Sequence, residues 1–279
     1  MWIQRTNRQF LFREIALFVT RSSLGFVCVA AAIFLPSSCS RSPSAAGVDA
    51  AVLPSQSPRA SPKAAALGAL EGTVRVRGKI SALPALKTTS SVERQCGKEI
   101  PDRTLLVNEE GALANAVVFL ADVERSSSEV DSHSPKVVLD QRGCAYLPPV
   151  IAARAGAALE ISNSDPLIHN VRASAESALF NFAMPLQGQK VTKQLPARPA
   201  VIHVGCDVHP WMRAVIRTFD HPYFALTDSR GRYRLTIPSG RKKVTFWHER
   251  FPEQSLTVEV AADQKAEQNA LWSANEVRF

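Results

Sequence analysis

The sequence predicts an all-β protein built from β-sandwiches. Three observations support this fold class. Short segments in which apolar and polar residues alternate recur from residue 72 to residue 260, as in half-buried strands. Turn-forming residues separate these segments about every eight to twelve residues, which is typical of sandwiches. No long stretch shows the periodicity of an amphipathic helix.

The first 39 residues resemble a bacterial export signal. Residues 1–21 carry arginines, and the apolar run 24–35 has the length of a signal-peptide core but is too short to span a bilayer comfortably. Small residues then lead to Cys39, as in lipoprotein signals. The resemblance implies a signal peptide over residues 1–39, lipid modification of Cys39, and a periplasmic or lipid-anchored location in the bacterial cell envelope. Ordinary cleavage, an uncleaved anchor and a cytoplasmic location stay open.

Residues 40–69 are rich in Ala, Ser and Pro and show no periodicity. This composition predicts a disordered linker that holds the rest of the chain away from the membrane. The alternating pattern begins after this segment. Strands are predicted over residues 73–80, 116–120, 136–140, 158–161, 170–172, 190–192, 201–204, 214–217, 243–247 and 256–260, and a turn followed by a strand is predicted over residues 227–235.

The charge pattern bears on the choice of partner. The chain of 279 residues has a formal net charge of +8, with 46% hydrophobic and 21% charged residues, which is the composition of a globular protein. The basic residues are scattered and form no stripe with interleaved aromatic residues, so nucleic acid is not expected as a partner. A mildly positive surface suits an acidic redox partner or an anionic membrane face.

A thiolate, an imidazole and a thioether lie close together near residue 206. Cys206, His209 and Met212 occupy positions 0, +3 and +6 of one segment, and His169 lies upstream. Two histidines, one cysteine and a weak axial methionine are the ligands of electron-transfer copper. Soft thiolate suits Cu(I), imidazole suits both oxidation states, and a rigid sandwich limits the rearrangement that would oppose electron transfer. Zinc in the same ligands and a loss of metal binding stay open.

The other histidines offer no second metal centre. A dinuclear copper site would need a second cysteine on the ligand loop. The multicopper enzymes need more histidines than the six in this chain. His203 lies three residues before Cys206 on a predicted strand and is expected to face away from it. His221 and His248 are expected to have packing or hydrogen-bonding roles.

The pattern Cys-x-x-His-Pro-x-Met, with an upstream Pro-x-x-His-Asn-Val, resembles the cupredoxins, and most of all amicyanin with its short ligand loop. The likeness runs over about residues 136–217. It implies a Greek-key sandwich that binds one type 1 copper ion. In that family's arrangement the ligands would be His169, Cys206, His209 and, axially, Met212.

The resemblance also assigns roles beside the ligands. Asn170 would connect the loop of His169 with the loop of Cys206, as groups that orient metal ligands do. Pro210 has no N–H and cannot donate a hydrogen bond to the thiolate. Apolar residues would frame His209 at the surface, where a redox partner docks: Pro166, Leu167 and Trp211.

Two cysteines remain for the folded part of the chain. In an oxidising compartment, Cys96 and Cys144 most simply form a disulfide. Two separate thiols or an additional metal site stay open as alternatives.

Two segments flank the copper-binding part, which is predicted to span residues 136–219. Residues 71–123 and 222–273 together have the size of one more sandwich. The segment from Ala225 to Gly240 resembles the carboxypeptidase regulatory-like (transthyretin-like) sandwich, and the earlier segment resembles its opening strands. This implies that the cupredoxin part is inserted in a split second sandwich. Two tandem sandwiches or one enlarged cupredoxin stay open.

The expected function is one-electron transfer by a mononuclear type 1 copper site, with an unnamed redox protein as partner. No pattern suggests catalysis, so the chain is not expected to be an enzyme. One alternative is a surface or periplasmic binding lipoprotein in which copper is incidental. Another is a copper carrier, although the chain has only three methionines.

Overall fold

The computed structural model of the protein describes residues 66–80, 83–123 and 136–278. The predicted signal peptide, Cys39 and residues 40–65 of the predicted linker lie outside these ranges. Within them the helices are short, namely α1 (Glu93–Cys96) and a 3-10 turn (Ala274–Glu276). The predicted all-β class is confirmed. None of the helices in the described ranges is long and apolar enough to cross a membrane.

The strands follow one another closely along the chain. In chain order they are β1 (Leu67–Arg77), β2 (Leu86–Lys87), β3 (Glu99–Ile100), β4 (Val117–Leu120), β5 (Val137–Gln141), β6 (Tyr146–Leu147), β7 (Val150–Arg154), β8 (Ala158–Asn163), β9 (His169–Ser174), β10 (Ala178–Met184), β11 (Lys190–Gln194), β12 (Ala200–Gly205), β13 (Arg213–Phe219), β14 (Phe224–Leu226), β15 (Arg232–Pro238), β16 (Gly240–Trp247), β17 (Gln254–Val260), β18 (Lys265–Glu267) and β19 (Ala270–Ser273).

The larger sheets form two β-sandwiches. The outer sandwich consists of the sheet β15-β1-β18, with β19 also paired to β1, and of the sheet β14-β4-β16-β17. The inserted sandwich consists of the sheets β10-β9-β12-β13-β7 and β11-β8-β5-β6. The chain leaves the outer sandwich after β4 and returns in β14. These two strands are antiparallel neighbours, with Phe119 opposite Phe224.

Alternation along the strands builds the core of the outer sandwich. In β1, Val74 and Val76 are buried, whereas Arg75 between them is only half-buried. This follows from the two-residue period of a strand, which sends successive side chains to opposite faces. Both valines pack in one core with Phe246 of β16. The pattern visible in the sequence therefore marks the inner face of β1.

Strand β4 is buried on both faces, which explains its unbroken apolar sequence. Val118 and Leu120 belong to the core of the outer sandwich. Val117 and Phe119 point to the opposite face and pack in a separate cluster with Phe219 of β13 and residues of β7. That cluster joins the outer sandwich to the inserted one.

An arginine extends this contact between the sandwiches. The guanidinium carbon of Arg217 lies 4.4 Å from the ring centre of Phe119 and 5.0 Å from that of Trp247. Its Nη2 lies 3.2 Å from a carboxylate oxygen of Glu253. A cation over aromatic faces is attracted by their quadrupoles, and the carboxylate balances its charge. Arg217 of β13 therefore binds to side chains of the outer sandwich.

The outer sandwich begins earlier than predicted. β1 starts at Leu67, inside the predicted linker 40–69 and before the predicted start at residue 71. Leu70 is fully buried and lies opposite Leu235 of β15. The run of small residues obscured this strand in the sequence. Gly68 is needed there because an added Cβ would collide with the backbone of Ala261.

Candidate metal centre

The inserted sandwich brings the predicted ligands together through neighbouring strands. His169 is the first residue of β9, and Cys206 directly follows the last residue of β12. Since β9 and β12 are antiparallel neighbours, the start of one lies beside the end of the other. His209 and Met212 lie in the turn between β12 and β13.

Main-chain hydrogen bonds close the ligand loop, which we define as residues 206–212. The N–H of Met212 donates to the carbonyl of His209 at 2.9 Å, and the N–H of Cys206 donates to the carbonyl of Met212 at 3.3 Å. The side chain of Met212 is buried in the same core as Cys206. Pro210 lies exposed at the outside of the turn. The chain itself therefore fixes the shape of this loop.

Three potential ligand atoms converge in a buried cluster. Nδ1 of His169 lies 2.8 Å from Nδ1 of His209, and Sγ of Cys206 lies 3.9 Å from that same Nδ1. The three ligand atoms all lie within 4.8 Å of one another. All three residues are nearly inaccessible to solvent. Two imidazoles and a thiol that meet in this way can hold a metal ion, and this donor set suits copper.

Asn170 connects the two ligand-bearing segments. Its Oδ1 accepts hydrogen bonds from the N–H groups of Asp207, at 2.5 Å, and Val208, at 3.3 Å. Its Nδ2 donates to Oδ1 of Asn181 at 2.8 Å and to Oδ2 of Asp207 at 3.1 Å. Its own N–H points to Sγ of Cys206 at 3.5 Å. The Asn170 side chain therefore links β9 to the ligand loop.

Asp165 is a functional candidate that the sequence reasoning missed. Its Oδ2 lies 3.0 Å from Nε2 of His169, on the side of the ring opposite the cluster. The same carboxylate accepts hydrogen bonds from the N–H groups of Gly143 and Cys144, at 2.7 and 2.8 Å. A carboxylate behind a metal-binding imidazole fixes the ring and its tautomer. The only signal in the sequence was an acid four residues before His169.

The ionisable groups of the cluster influence one another. Burial opposes ionisation of Cys206, but hydrogen bonds from His169 and from the N–H groups of Asn170, His209 and Val208 together lower the pKa of the thiol. Burial likewise opposes the charged form of His169, yet its bonds to Asp165 and Cys206 raise its pKa overall. Burial, followed by the nearby charge of His169, lowers the pKa of His209. Relative to the isolated groups, the surroundings therefore shift Cys206 towards its thiolate and His209 towards its neutral form.

Replacing Asp165 by asparagine is expected to lower the pKa of His169 in the metal-free protein. The substitution removes the negative charge that opposes the effect of burial. The measurement is the pH dependence of the imidazole proton signals in NMR spectra. Asp207→Asn is the matched control, since Asp207 bonds to Arg172 and not to a histidine. An unchanged pKa in Asp165→Asn would contradict the assigned role.

A buried tyrosine joins the strands that carry the ligands. The hydroxyl of Tyr146 donates to the carbonyl of Asn170 at 2.6 Å and lies 3.2 Å from the carbonyl of Gly205. Burial is the main cause of its raised pKa, with the charges of Cys206 and Asp207 adding to it. The hydroxyl therefore stays neutral and holds two backbone segments of the site together. Sequence reasoning assigned no role to this residue.

The predicted cysteine pair and Trp211 meet on one flank of the cluster. Cys96 and Cys144 form a disulfide. The indole Nε1 of Trp211 donates to the carbonyl of Cys144 at 3.2 Å. Its ring lies 5.1 Å from the ring of His209, centre to centre. Trp211 is half-buried, so only part of this side chain is available to a partner.

Some of the surface beside the cluster is apolar, and two of the apolar residues there were not predicted. Pro166 is exposed and Leu167 is half-buried. Ile168 and Val208 each precede a histidine of the cluster in the sequence, and they are 49% and 46% exposed. Single exposed apolar side chains are normal on protein surfaces, so these residues indicate an interaction site only if they form one contiguous patch.

The other histidines lie outside the cluster among the described residues. His203 is exposed on β12, whereas His221 and His248 are buried in packed surroundings. The N–H of Tyr223 donates to Nδ1 of His221 at 3.2 Å, and the N–H of Arg250 donates to Nδ1 of His248 at 3.1 Å. These contacts match the packing and hydrogen-bonding roles expected from the sequence.

Known proteins offer limited comparison. No family model matches the chain, and no curated protein matches it. Among solved structures, a mutant of amicyanin with Cu(I) aligns at 22% identity and a TM-score of 0.28, over 30% of this chain and 82% of that one. A copper-containing nitrite reductase from Thermus scotoductus SA-01 aligns at 20% identity and a TM-score of 0.27, over 30% of this chain and 22% of that one. A reduced amicyanin mutant aligns at 20% identity and a TM-score of 0.28, over 37% of this chain and 98% of that one.

Proposed function

We propose that this chain is a mononuclear type 1 copper protein that carries single electrons outside the cytoplasm. The observation that supports this most is the buried convergence of His169, Cys206 and His209 within 4.8 Å. Met212, buried in the same core, is the proposed axial ligand. A copper ion held by these residues would supply a one-electron couple. The proposal makes the protein an electron carrier rather than an enzyme.

The chain itself supplies ligands that are held rigidly and are shielded from water. The ligand loop is closed by its own hydrogen bonds, and Asn170 ties it to β9. His169 is further held by Asp165 from behind. Ligands that hardly move leave little rearrangement to oppose a change of oxidation state. Burial of the cluster also excludes water, which protects the thiolate from competing reactions.

Electron exchange is proposed to occur through the apolar surface beside His209. The ring of His209 lies in the ligand loop next to Trp211, and Ile168 and Val208 expose apolar area nearby. Together with Pro166 and Leu167 these residues form the proposed docking face. A shallow apolar contact suits a redox complex, which must form and dissociate quickly. The partner is a redox protein whose identity is left open.

The proposed location and domain division rest on the sequence. Residues 1–39 carry the signal-like pattern, and a lipid on Cys39 would attach the protein to a membrane. The cupredoxin part is proposed as residues 136–219. The carboxypeptidase regulatory-like sandwich is proposed as residues 67–123 and 222–273, with its start moved to the first residue of β1 and without peptidase activity.

The visible absorption and EPR spectra of the full-length protein after addition of Cu(II) test the proposed function. We expect an intense thiolate-to-copper band and a narrow copper hyperfine splitting. Both should disappear in Cys206→Ser, because the thiolate is the source of that band. His203→Ala is the control: it removes a histidine of the same segment that lies outside the cluster, so its spectra should match those of the natural protein.

A protein that stays colourless with Cu(II), or a pale signal that Cys206→Ser leaves unchanged, would refute the copper proposal. The binding lipoprotein would then be the better account. If the thiolate-to-copper band forms but a chelator removes the copper within seconds, the protein would instead be a copper carrier. Copper retained under those conditions supports an electron carrier.

A further inference from the structure

A segment between β1 and β4 covers one flank of the ligand loop. It contains β2, α1 and β3, and β2 pairs only with β3 among the described strands. Residues of this segment, including Leu86 and Thr104, line a narrow cleft together with Trp211 and Met212. The disulfide between Cys96 and Cys144 attaches the segment to the turn between β5 and β6.

The backbone of Cys144 contacts both ligand-bearing segments. Its N–H donates to Asp165 at 2.8 Å, and that carboxylate in turn lies 3.0 Å from Nε2 of His169. Its carbonyl accepts the indole N–H of Trp211 at 3.2 Å, and the Trp211 ring packs on His209. One peptide turn thus supports both histidines of the cluster, each through a single intervening side chain.

The conformation of this turn needs support from its surroundings. Gly143 and Cys144 both have positive φ angles, of 60° and 56°. A left-handed conformation is unfavourable for a residue with a side chain unless neighbouring contacts impose it. The side chain of Cys144 is 1% exposed, and its one covalent partner is Cys96. The disulfide is therefore placed to hold the turn in this conformation.

We propose that the Cys96–Cys144 disulfide is a positioning element of the metal centre. This inference rests on the proposed function. The disulfide fixes the Gly143–Cys144 turn, and the turn fixes His169 through Asp165 and His209 through Trp211. Without the disulfide, the fold persists but the hydrogen bonds from the turn to both segments open more often. A disulfide that served overall stability alone would not act on these bonds selectively.

Hydrogen exchange of tryptophan indoles in the metal-free, full-length protein separates these two roles. Trp211 reports on the turn, and Trp272 reports on the outer sandwich, where its Nε1 donates to the carbonyl of Pro252 at 2.9 Å. In Cys96→Ser/Cys144→Ser we expect exchange at Trp211 to accelerate at least about tenfold and more than exchange at Trp272, which responds only to the general loss of stability that removal of a disulfide causes. Trp211→Phe and Trp272→Phe assign the two signals.

Thr88→Val is the matched control. It removes the hydroxyl that donates to the carbonyl of Gly97 at 2.6 Å, a hydrogen bond within the same segment. It leaves the disulfide intact. Exchange at Trp211 should stay unchanged in this variant. If Trp211 and Trp272 accelerate equally in the double variant, or if neither accelerates, the positioning role is overturned.

Chemical reduction provides a test that needs no variant to fold. Dithiothreitol reduces the disulfide of the natural protein: each protein sulfur gains one electron and one proton, and the reagent becomes a cyclic disulfide. Selective acceleration at Trp211 is expected, and reoxidation should reverse it. Acceleration that is equal at both tryptophans would overturn the proposal. These readouts use metal-free protein, so they are independent of the copper spectra that test the proposed function.

Discussion

Replacing Phe246 by alanine is expected to lower the free energy of unfolding by about 3–5 kcal/mol. Phe246 is fully buried in the core of the outer sandwich, and its ring meets that of Tyr233 edge to face at a centroid distance of 5.8 Å. Truncation removes this apolar area from the core. It also leaves a cavity, because the residues around Phe246 lie on hydrogen-bonded strands and cannot move far enough to fill the space. Chemical denaturation followed by circular dichroism measures the loss.

The same experiment asks whether the two sandwiches unfold together. β16, which carries Phe246, pairs with β4, and β4 sends Phe119 into the cluster against β13. We therefore expect one transition, shifted as a whole. Phe182→Ala is the matched control, since Phe182 is only half-buried on β10, and it should cost about 1 kcal/mol or less. Two separate transitions, with the inserted sandwich unaffected by Phe246→Ala, would contradict the shared stability.

Much of the fold could be predicted because its strands obey local rules. Alternation marked the buried face of β1, and the apolar run 116–120 marked a strand, which the structure shows to be covered on both faces. The start of β1 could not be predicted, because Gly68 and the small residues near it have the composition of a linker. Their role appears only when β18 and the chain before it lie against them, where glycine alone leaves enough space.

The cluster could be predicted because its residues are close in sequence or follow a known pattern. Cys206 and His209 lie in one turn, and His169 begins the strand beside it. Tyr146 escaped prediction because its partners lie on other segments of the chain, and Asp165 did so because the N–H groups that hold its carboxylate towards His169 lie on another segment. The carboxylate of Asp165 acquires its role from the Gly143–Cys144 turn, and an alternation pattern carries no information about such contacts.

Replacing Asn170 by alanine is expected to lower the free energy of unfolding by about 2–3 kcal/mol. The change leaves the N–H groups of Asp207 and Val208 without the acceptor that now binds both. The backbone N–H of residue 170, which points to Sγ of Cys206, is retained. The variant therefore isolates the side-chain link between β9 and the ligand loop. Thermal and chemical denaturation of the metal-free protein measure its contribution.

Asn181→Ala is the matched control for that link. It removes one partner of the Asn170 amide at 2.8 Å and leaves both bonds to the ligand loop. Because Asn181 is exposed, its loss should cost about 0.5 kcal/mol or less. A loss in Asn170→Ala no larger than in this control would show that the loop is held by its own turn alone.

The link also has a consequence for the proposed copper binding. In the natural protein the ligand loop is already in place, so the ion does not have to order it. In Asn170→Ala the cost of ordering Cys206 and His209 falls on the binding step. Added copper should therefore raise the unfolding midpoint less in Asn170→Ala than in the natural protein or Asn181→Ala. An equal rise in all three would mean that the geometry of the cluster survives without the side chain of Asn170, and that the ligand loop alone preorganises the site.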